Sequence, residues 1–174
     1  MWLTGLPGSG KTTIALALGA ELRSRRFAVE VFDGDELRTT LSKDLGFDKA
    51  GRVAHVSRVG GLAHAATREG KVAIVAVIAP YRESRDRVRS LIGRFVEIYV
   101  HCPLEELIRR DPKGLYKKAL LGEIPNFTGV SDPYEPPISP EVSIDTTRVD
   151  VEQAVSIIVG TANRLGYLDA VRPV

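Results

Sequence analysis

The chain has 174 residues, 44% hydrophobic and 26% charged, with a formal net charge of +2. That supports one domain with its own core, and so small a charge implies no nucleic-acid partner. No apolar run nears the roughly 20 residues of a membrane span, no basic region marks a signal peptide, and a single cysteine, Cys102, excludes an internal disulfide and fits a cytoplasmic location.

Met1–Thr4 reads as a short buried strand, followed by Gly5-Leu6-Pro7-Gly8-Ser9-Gly10-Lys11-Thr12, a complete G-x-x-x-x-G-K-[ST] pattern. A helix is predicted over 11–25. Strand, glycine loop and helix start together make a phosphate cradle, because loop N–H groups converge on the anion and the helix dipole adds positive charge. Gly5, Pro7, Gly8, Ser9, Gly10, Lys11, Thr12 and Thr13 are therefore the candidate ATP contacts. Lys11 reaches for the β- and γ-phosphates, and the Thr12 hydroxyl for Mg²⁺.

A second strand over 28–32 runs into Phe32-Asp33-Gly34-Asp35, with a helix expected over 35–43. Two carboxylates at a strand end beside the phosphate loop point to chemistry on an acceptor hydroxyl. Asp33 suits Mg²⁺, held through water, and Asp35 suits the base or hydroxyl positioner. The plain alternative is Asp35 as the N-cap of the following helix. Over 50–69, Val53, Val56, Val59, Leu62, Ala63 and Ala66 recur at helical spacing. A fully apolar strand over 71–78 suits burial on both faces, and a helix over 83–93, a strand over 95–100 and a helix over 103–110 follow. Arg38, Arg52, Arg58 and Arg82 are candidates for forked bonds to an anionic substrate. His55, His64 and His101 lack metal-ligand spacing, and His64 and His101 read as structural.

From Asp111 to Pro140 the rhythm breaks: six prolines and three glycines surround one short helix near Leu115–Leu121. Tyr116, Phe127 and Tyr134 argue against plain disorder, so about 111–131 reads as a lid. A strand over 142–144 and a helix over 150–166 close the pattern. The alternation implies an α/β fold of P-loop NTPase type: a five-stranded parallel sheet with helices on both faces, in a single kinase domain spanning 1–174.

The P-loop together with Phe32-Asp-Gly-Asp-x-x-Arg38, Asp44-Leu-Gly-Phe47, Arg52, Ala79-Pro-Tyr-Arg82, Arg110-Asp-Pro-Lys-Gly-Leu-Tyr-Lys-Lys118, Asn126-Phe-Thr-Gly129 and Asp132-Pro-Tyr-Glu-Pro136 resembles adenylylsulfate kinase. The resemblance implies transfer of the γ-phosphoryl group of ATP, with Mg²⁺, to the 3′-hydroxyl of adenosine 5′-phosphosulfate. By position it implies that Phe47 and Phe127 sandwich the acceptor adenine, and that Arg38 and Arg52 grip the phosphosulfate end. Ile78 would line the pocket, Lys113, Leu115 and Tyr116 would come from the lid, and Arg110 would pack on the ATP adenine. A homodimer is the implied assembly.

The departures from the family pattern are specific. His55 stands where an asparagine usually contacts the acceptor, and can still donate and accept hydrogen bonds. Ser57 replaces an arginine. Ala79 replaces a serine, which leaves direct transfer as the simpler route, and Pro7 replaces a serine in the phosphate loop. The chain begins at its first strand, so regulation by a preceding segment is not expected. Two rivals remain at this level: another small-acceptor P-loop kinase, and a nucleotide-binding module without turnover.

Overall fold

The computed structural model describes residues 1–168. Five parallel strands, β1 (Trp2–Thr4), β2 (Val29–Asp33), β3 (Val72–Ala76), β4 (Glu97–His101) and β5 (Val142–Asp145), form one sheet in the order β2-β3-β1-β4-β5. Helices α1 (Lys11–Ser24), α2 (Gly34–Thr39), α3 (Lys49–Arg68), α4 (Arg82–Ile92), α5 (Leu104–Arg110), α6 (Leu115–Leu120) and α7 (Val151–Arg164) connect and cover it.

Strand periodicity explains the two cores. In β3, Val72, Ile74 and Ala76 join Ile14, Leu18 and Leu22 of α1 and Ala154, Ile158 and Ala162 of α7. The intervening Ala73 and Val75 face Val56, Val59 and Ala63 of α3 and Val88 of α4. Successive side chains of a strand point to opposite faces, so a strand covered on both sides must be apolar throughout. Each fully buried leucine or isoleucine contributes about 1.5–3 kcal/mol. Asp48 caps α3, and Asp150 with Gln153 closes a capping box on α7.

The helix expected over 35–43 stops at Thr39. The hydroxyls of Thr39 and Thr40 both donate back to the Glu36 carbonyl, at 2.8 and 3.2 Å, and such local bonds compete with helix continuation. The third strand is also shorter than expected. Its exit passes through Ala79 at φ 44°, a strained value for a residue with a Cβ; the Ala79 carbonyl is held by Arg85 Nη1 at 2.7 Å.

β1 and β3 are neighbours whose exits turn to opposite faces, one into α1 and the other into α4. The crevice between them lies at the carboxyl ends of the strands, where open α/β sheets bind ligands. Glycine is required at its rim: a Cβ on Gly5 would sit 2.2 Å from the Val100 carbonyl oxygen. A third, smaller core of Cys102, Leu107, Tyr116, Ala119 and Phe127 fastens the proline-rich segment beside the phosphate loop. Among the described residues no helix is long and apolar enough to cross a membrane.

Candidate active site

α1 begins at Lys11, directly after Gly10 at φ 99°, so the first helical amides continue the curl of the loop. Lys11 is buried, and its Nζ donates to the carbonyls of Gly5 (3.1 Å) and Leu6 (2.8 Å). Burial lowers its pKa to about 8, against the opposing pull of Asp35 and Asp33. Ser9 is buried within the loop, whereas Thr12 and Thr13 are exposed on the first turn of α1. Pro7 has no N–H to offer, and its carbonyl accepts the Tyr116 hydroxyl at 2.8 Å.

Thr12 Oγ1 donates to Asp33 Oδ2 at 2.7 Å. The other oxygen of Asp33 accepts from the backbone N–H groups of Asp35 (2.8 Å) and Glu36 (3.2 Å). Asp33, not Asp35, is therefore the N-cap of α2. The cap reading weighed for Asp35 is thereby corrected: its carboxylate is 75% exposed and pairs with Lys113 of the 111–131 segment at 3.0 Å. Thr12 and Asp33 supply two hard oxygens at the mouth of the loop, a donor set that fits Mg²⁺, which keeps several of its own waters.

On the other side of the crevice, Phe47 is 57% exposed. The Arg38 guanidinium lies 4.6 Å from its ring centroid and that of Arg52 lies 5.8 Å away. Arg38 also donates to the carbonyls of Gly46 (2.5 Å) and Gly51 (3.3 Å). Arg52 donates from Nε to the Phe47 carbonyl (2.9 Å) and from Nη2 to the Asn126 carbonyl (2.5 Å). The loops carrying Phe47 and Phe127 are thus tied to one guanidinium.

Several expected positions take different surroundings. Phe127 is a core residue despite its polar neighbours, meeting Tyr116 edge-on at 5.1 Å. Tyr116 is itself buried, and Leu115 packs on the same cluster, so both brace the segment and the phosphate loop instead of opening toward an acceptor. His55 is 6% exposed, with Nδ1 2.9 Å from Ser42 Oγ. Burial, aided by the charge of Arg38, lowers its pKa to about 4, so it is a neutral brace between α3 and the segment after α2. Ile78 is half-buried, and its carbonyl accepts the Thr4 hydroxyl at 2.6 Å. Arg110 is exposed and paired with Glu106 at 2.6 Å. The Arg58 guanidinium is engaged by Asp44, and the Arg82 Nε donates to the Pro136 carbonyl while its backbone N–H donates to Glu135, so both are held by partners away from Lys11, Asp33 and Asp35.

Pattern reading missed three features. Asp132 stands beside Arg52 at 3.5 Å and accepts the Tyr81 hydroxyl at 3.1 Å. Thr146, just past β5, borders the loop at Gly10. Arg85 is 2% exposed and paired with Glu97 at 2.7 Å, where an arginine would be read as solvated. Only the Asp-Pro-Tyr-Glu run, prominent in the sequence, hinted at any of them. A cavity of about 520 Å³ lies beside the site beneath residues 129–136, lined by Leu6, Tyr99, His101 and Tyr134. It holds none of Lys11, Asp33 and Asp35.

The family described as adenylylsulphate kinase matches residues 1–145. The adenylyl-sulfate kinase of Rippkaea orientalis is 50% identical over 168 residues, 97% of this chain and 93% of that protein. The probable adenylyl-sulfate kinase of Aeropyrum pernix is 49% identical over 162 residues, 91% of this chain and 88% of that protein. Among solved structures, the APS kinase of Mycobacterium tuberculosis, in complex with AMPPNP and APS, superposes with a TM-score of 0.89 at 34% identity. That match covers 93% of this chain and 95% of the other.

Proposed function

The chain belongs to the adenylylsulphate kinase family, and from that premise we propose how its own residues carry the transfer. The enzyme is an ATP-dependent phosphotransferase that moves the γ-phosphoryl group to the 3′-hydroxyl of adenosine 5′-phosphosulfate, giving 3′-phosphoadenylyl sulfate and ADP in sulfate assimilation. It uses ATP with Mg²⁺, which when bound neutralises charge on the phosphates.

Lys11 exchanges its bonds to the Gly5 and Leu6 carbonyls for phosphate oxygens, and the loop amides cradle the remainder. Thr12 and Asp33 hold the Mg²⁺ side. Asp35 orients the acceptor hydroxyl and takes its proton. The observation that carries this assignment is the division of labour in Asp-Gly-Asp: Asp33 caps α2 through one oxygen and faces Thr12 and the Mg²⁺ side through the other, while the exposed Asp35 carboxylate is held, among the described residues, only by Lys113. Phe47 offers its ring to the acceptor adenine, with Phe127 behind the opposite wall, while Arg38 and Arg52 face the anionic end. Lys113 reaches Asp35 from the 111–131 segment, as a lid that excludes water would.

Steady-state kinetics on Asp35→Asn tests the assignment. We expect kcat to fall about 100-fold or more, the usual scale of acid–base catalysis, with KM for ATP changed less than about threefold. Near-full turnover would remove Asp35 from the role. A cytoplasmic homodimer is the matching proposal for location and assembly, supported by the family resemblance and by the free, buried Cys102. A sedimentation mass of one 19.0 kDa chain instead of two would overturn the dimer.

A further inference from the structure

We propose that Asp132 and Tyr81 form a positioning couple that aims Arg52 at the acceptor, an inference that rests on the acceptor pocket assigned above. Arg52 has a side chain only 11% exposed. Its Nε and Nη2 form one edge of the planar fork, and that edge is occupied by the carbonyls of Phe47 and Asn126. Among the described residues Nη1 has no hydrogen-bond partner, so the outer edge is left for an anion.

A guanidinium bonded only to carbonyls could rock about its Cδ–Nε bond. Asp132 opposes this. Its Oδ2 lies 3.5 Å from Arg52 Nε and accepts the Tyr81 hydroxyl at 3.1 Å. Both members of the couple are held firmly. Asp132 N donates to the Phe127 carbonyl, and its own carbonyl accepts from Gly129 N, so the carboxylate stands on a closed turn. Tyr81 is 5% exposed and N-caps α4 at the exit from β3. Three segments from distant parts of the chain therefore converge on one cation: the Phe47 loop, the 126–132 turn and the β3 exit. Burial works against the charge of Arg52, and the nearby Asp132 works for it.

The couple touches no reacting atom. It acts through Arg52, so its loss should weaken acceptor binding and spare both the chemical step and ATP. The test uses the full chain, steady-state kinetics in each substrate and thermal melting, on Asp132→Asn, Tyr81→Phe, their double variant and Arg52→Ala. Asp132→Asn is expected to raise KM for adenosine 5′-phosphosulfate about tenfold, the scale of one charge-assisted bond, with kcat changed less than about threefold. Tyr81→Phe should give about threefold, and the double variant should be no worse than Asp132→Asn, because Tyr81 works through Asp132.

The proposal is overturned if acceptor KM stays put in both single variants, if both KM values and the melting temperature move together, or if the two effects multiply. Should Asp132→Asn not fold, Tyr81→Phe decides alone, since it removes one oxygen and keeps the ring. Arg52→Ala separates the two levels of inference. If it leaves acceptor KM unchanged, the acceptor pocket is wrong; if it raises KM while the couple's variants do not, only the positioning role fails.

Discussion

ATP affinity should weaken as pH rises above about 8, because the binding lysine is half-deprotonated there before nucleotide arrives. Lys11 is buried against its own loop, and that burial lowers its pKa from 10.5 to about 8. Polyphosphate placed beside Nζ favours the charged form and pulls the pKa back up, so binding takes up a proton wherever the protein alone has lost it. At pH 7 about one lysine in ten is deprotonated, so uptake is ~0.1 proton per nucleotide; at pH 9 it rises to ~0.9, and affinity falls about tenfold. The titration is run with Mg²⁺ in excess, which keeps the terminal phosphate of ATP, whose own last pKa lies at about 6 to 7, ionised across that interval. Calorimetry in two buffers of different ionisation enthalpy measures the uptake directly. The same group gives stability without nucleotide the opposite trend. Its folded pKa lies below the unfolded one, so the unfolded chain binds more protons between about pH 8 and 10.5, and stability rises with pH through that window. Proton uptake that stays flat from pH 7 to 9 would refute the argument, as would an unchanged slope in Lys11→Met.

Further outcomes follow from burial. Phe47→Ala should raise acceptor KM about tenfold, one lost stack at ~1–3 kcal/mol, without moving the urea midpoint, because the ring is 57% exposed. Phe127→Ala, at 7% exposure inside the third core, should instead cost about 3–5 kcal/mol in urea unfolding; equal stability effects from the two would contradict their placement. Arg85→Met strands Glu97 and should cost about 3 kcal/mol, the low end for a broken buried pair because Arg89 lies 3.3 Å from the same carboxylate. Adding Glu97→Leu should recover much of that loss; a double variant as unstable as the single would argue against desolvation of Glu97 as the cause.

The five strands and seven helices of the described residues were legible in the sequence to within a few residues, because a doubly covered parallel sheet writes its period into runs such as Val72–Ile78. Local signals served less well where a polar group ends up inside. Arg85 lies on an arginine-rich helix whose neighbours Arg82, Asp86 and Arg87 invite a solvated reading, yet it is buried against Glu97 at the start of the interior strand β4, twelve residues away. Phe127 sits among Asn126 and Thr128, and nothing adjacent discloses that Tyr116 and Leu107 cover it. The Asp33/Asp35 roles were divisible by chemistry but not by spacing. Either carboxylate could have capped the next helix, and the start of α2 at Gly34, one residue earlier than expected, is what gave the cap to Asp33.

The groups expected to meet substrate are already partnered, and that shapes how tightly substrate can bind. Lys11 holds two carbonyls of its own loop, Thr12 holds Asp33, Lys113 holds Asp35, and Arg38 and Arg52 hold the backbone around Phe47. Each contact with ATP or the acceptor is therefore an exchange of one hydrogen bond for another, worth the difference between them and not the whole. What makes the exchange favourable is charge: a phosphate or sulfate oxygen is a stronger acceptor for a cationic N–H than a carbonyl is. The Lys113–Asp35 pair carries the argument one step further. If Lys113 turns to an anionic partner when the acceptor binds, its pair with Asp35 is broken in the same step, so acceptor binding and release of the proposed base would be one event. Coupling of that kind would hold the solvent-facing Asp35 carboxylate against Lys113 until the acceptor is in place, tying its release to substrate arrival.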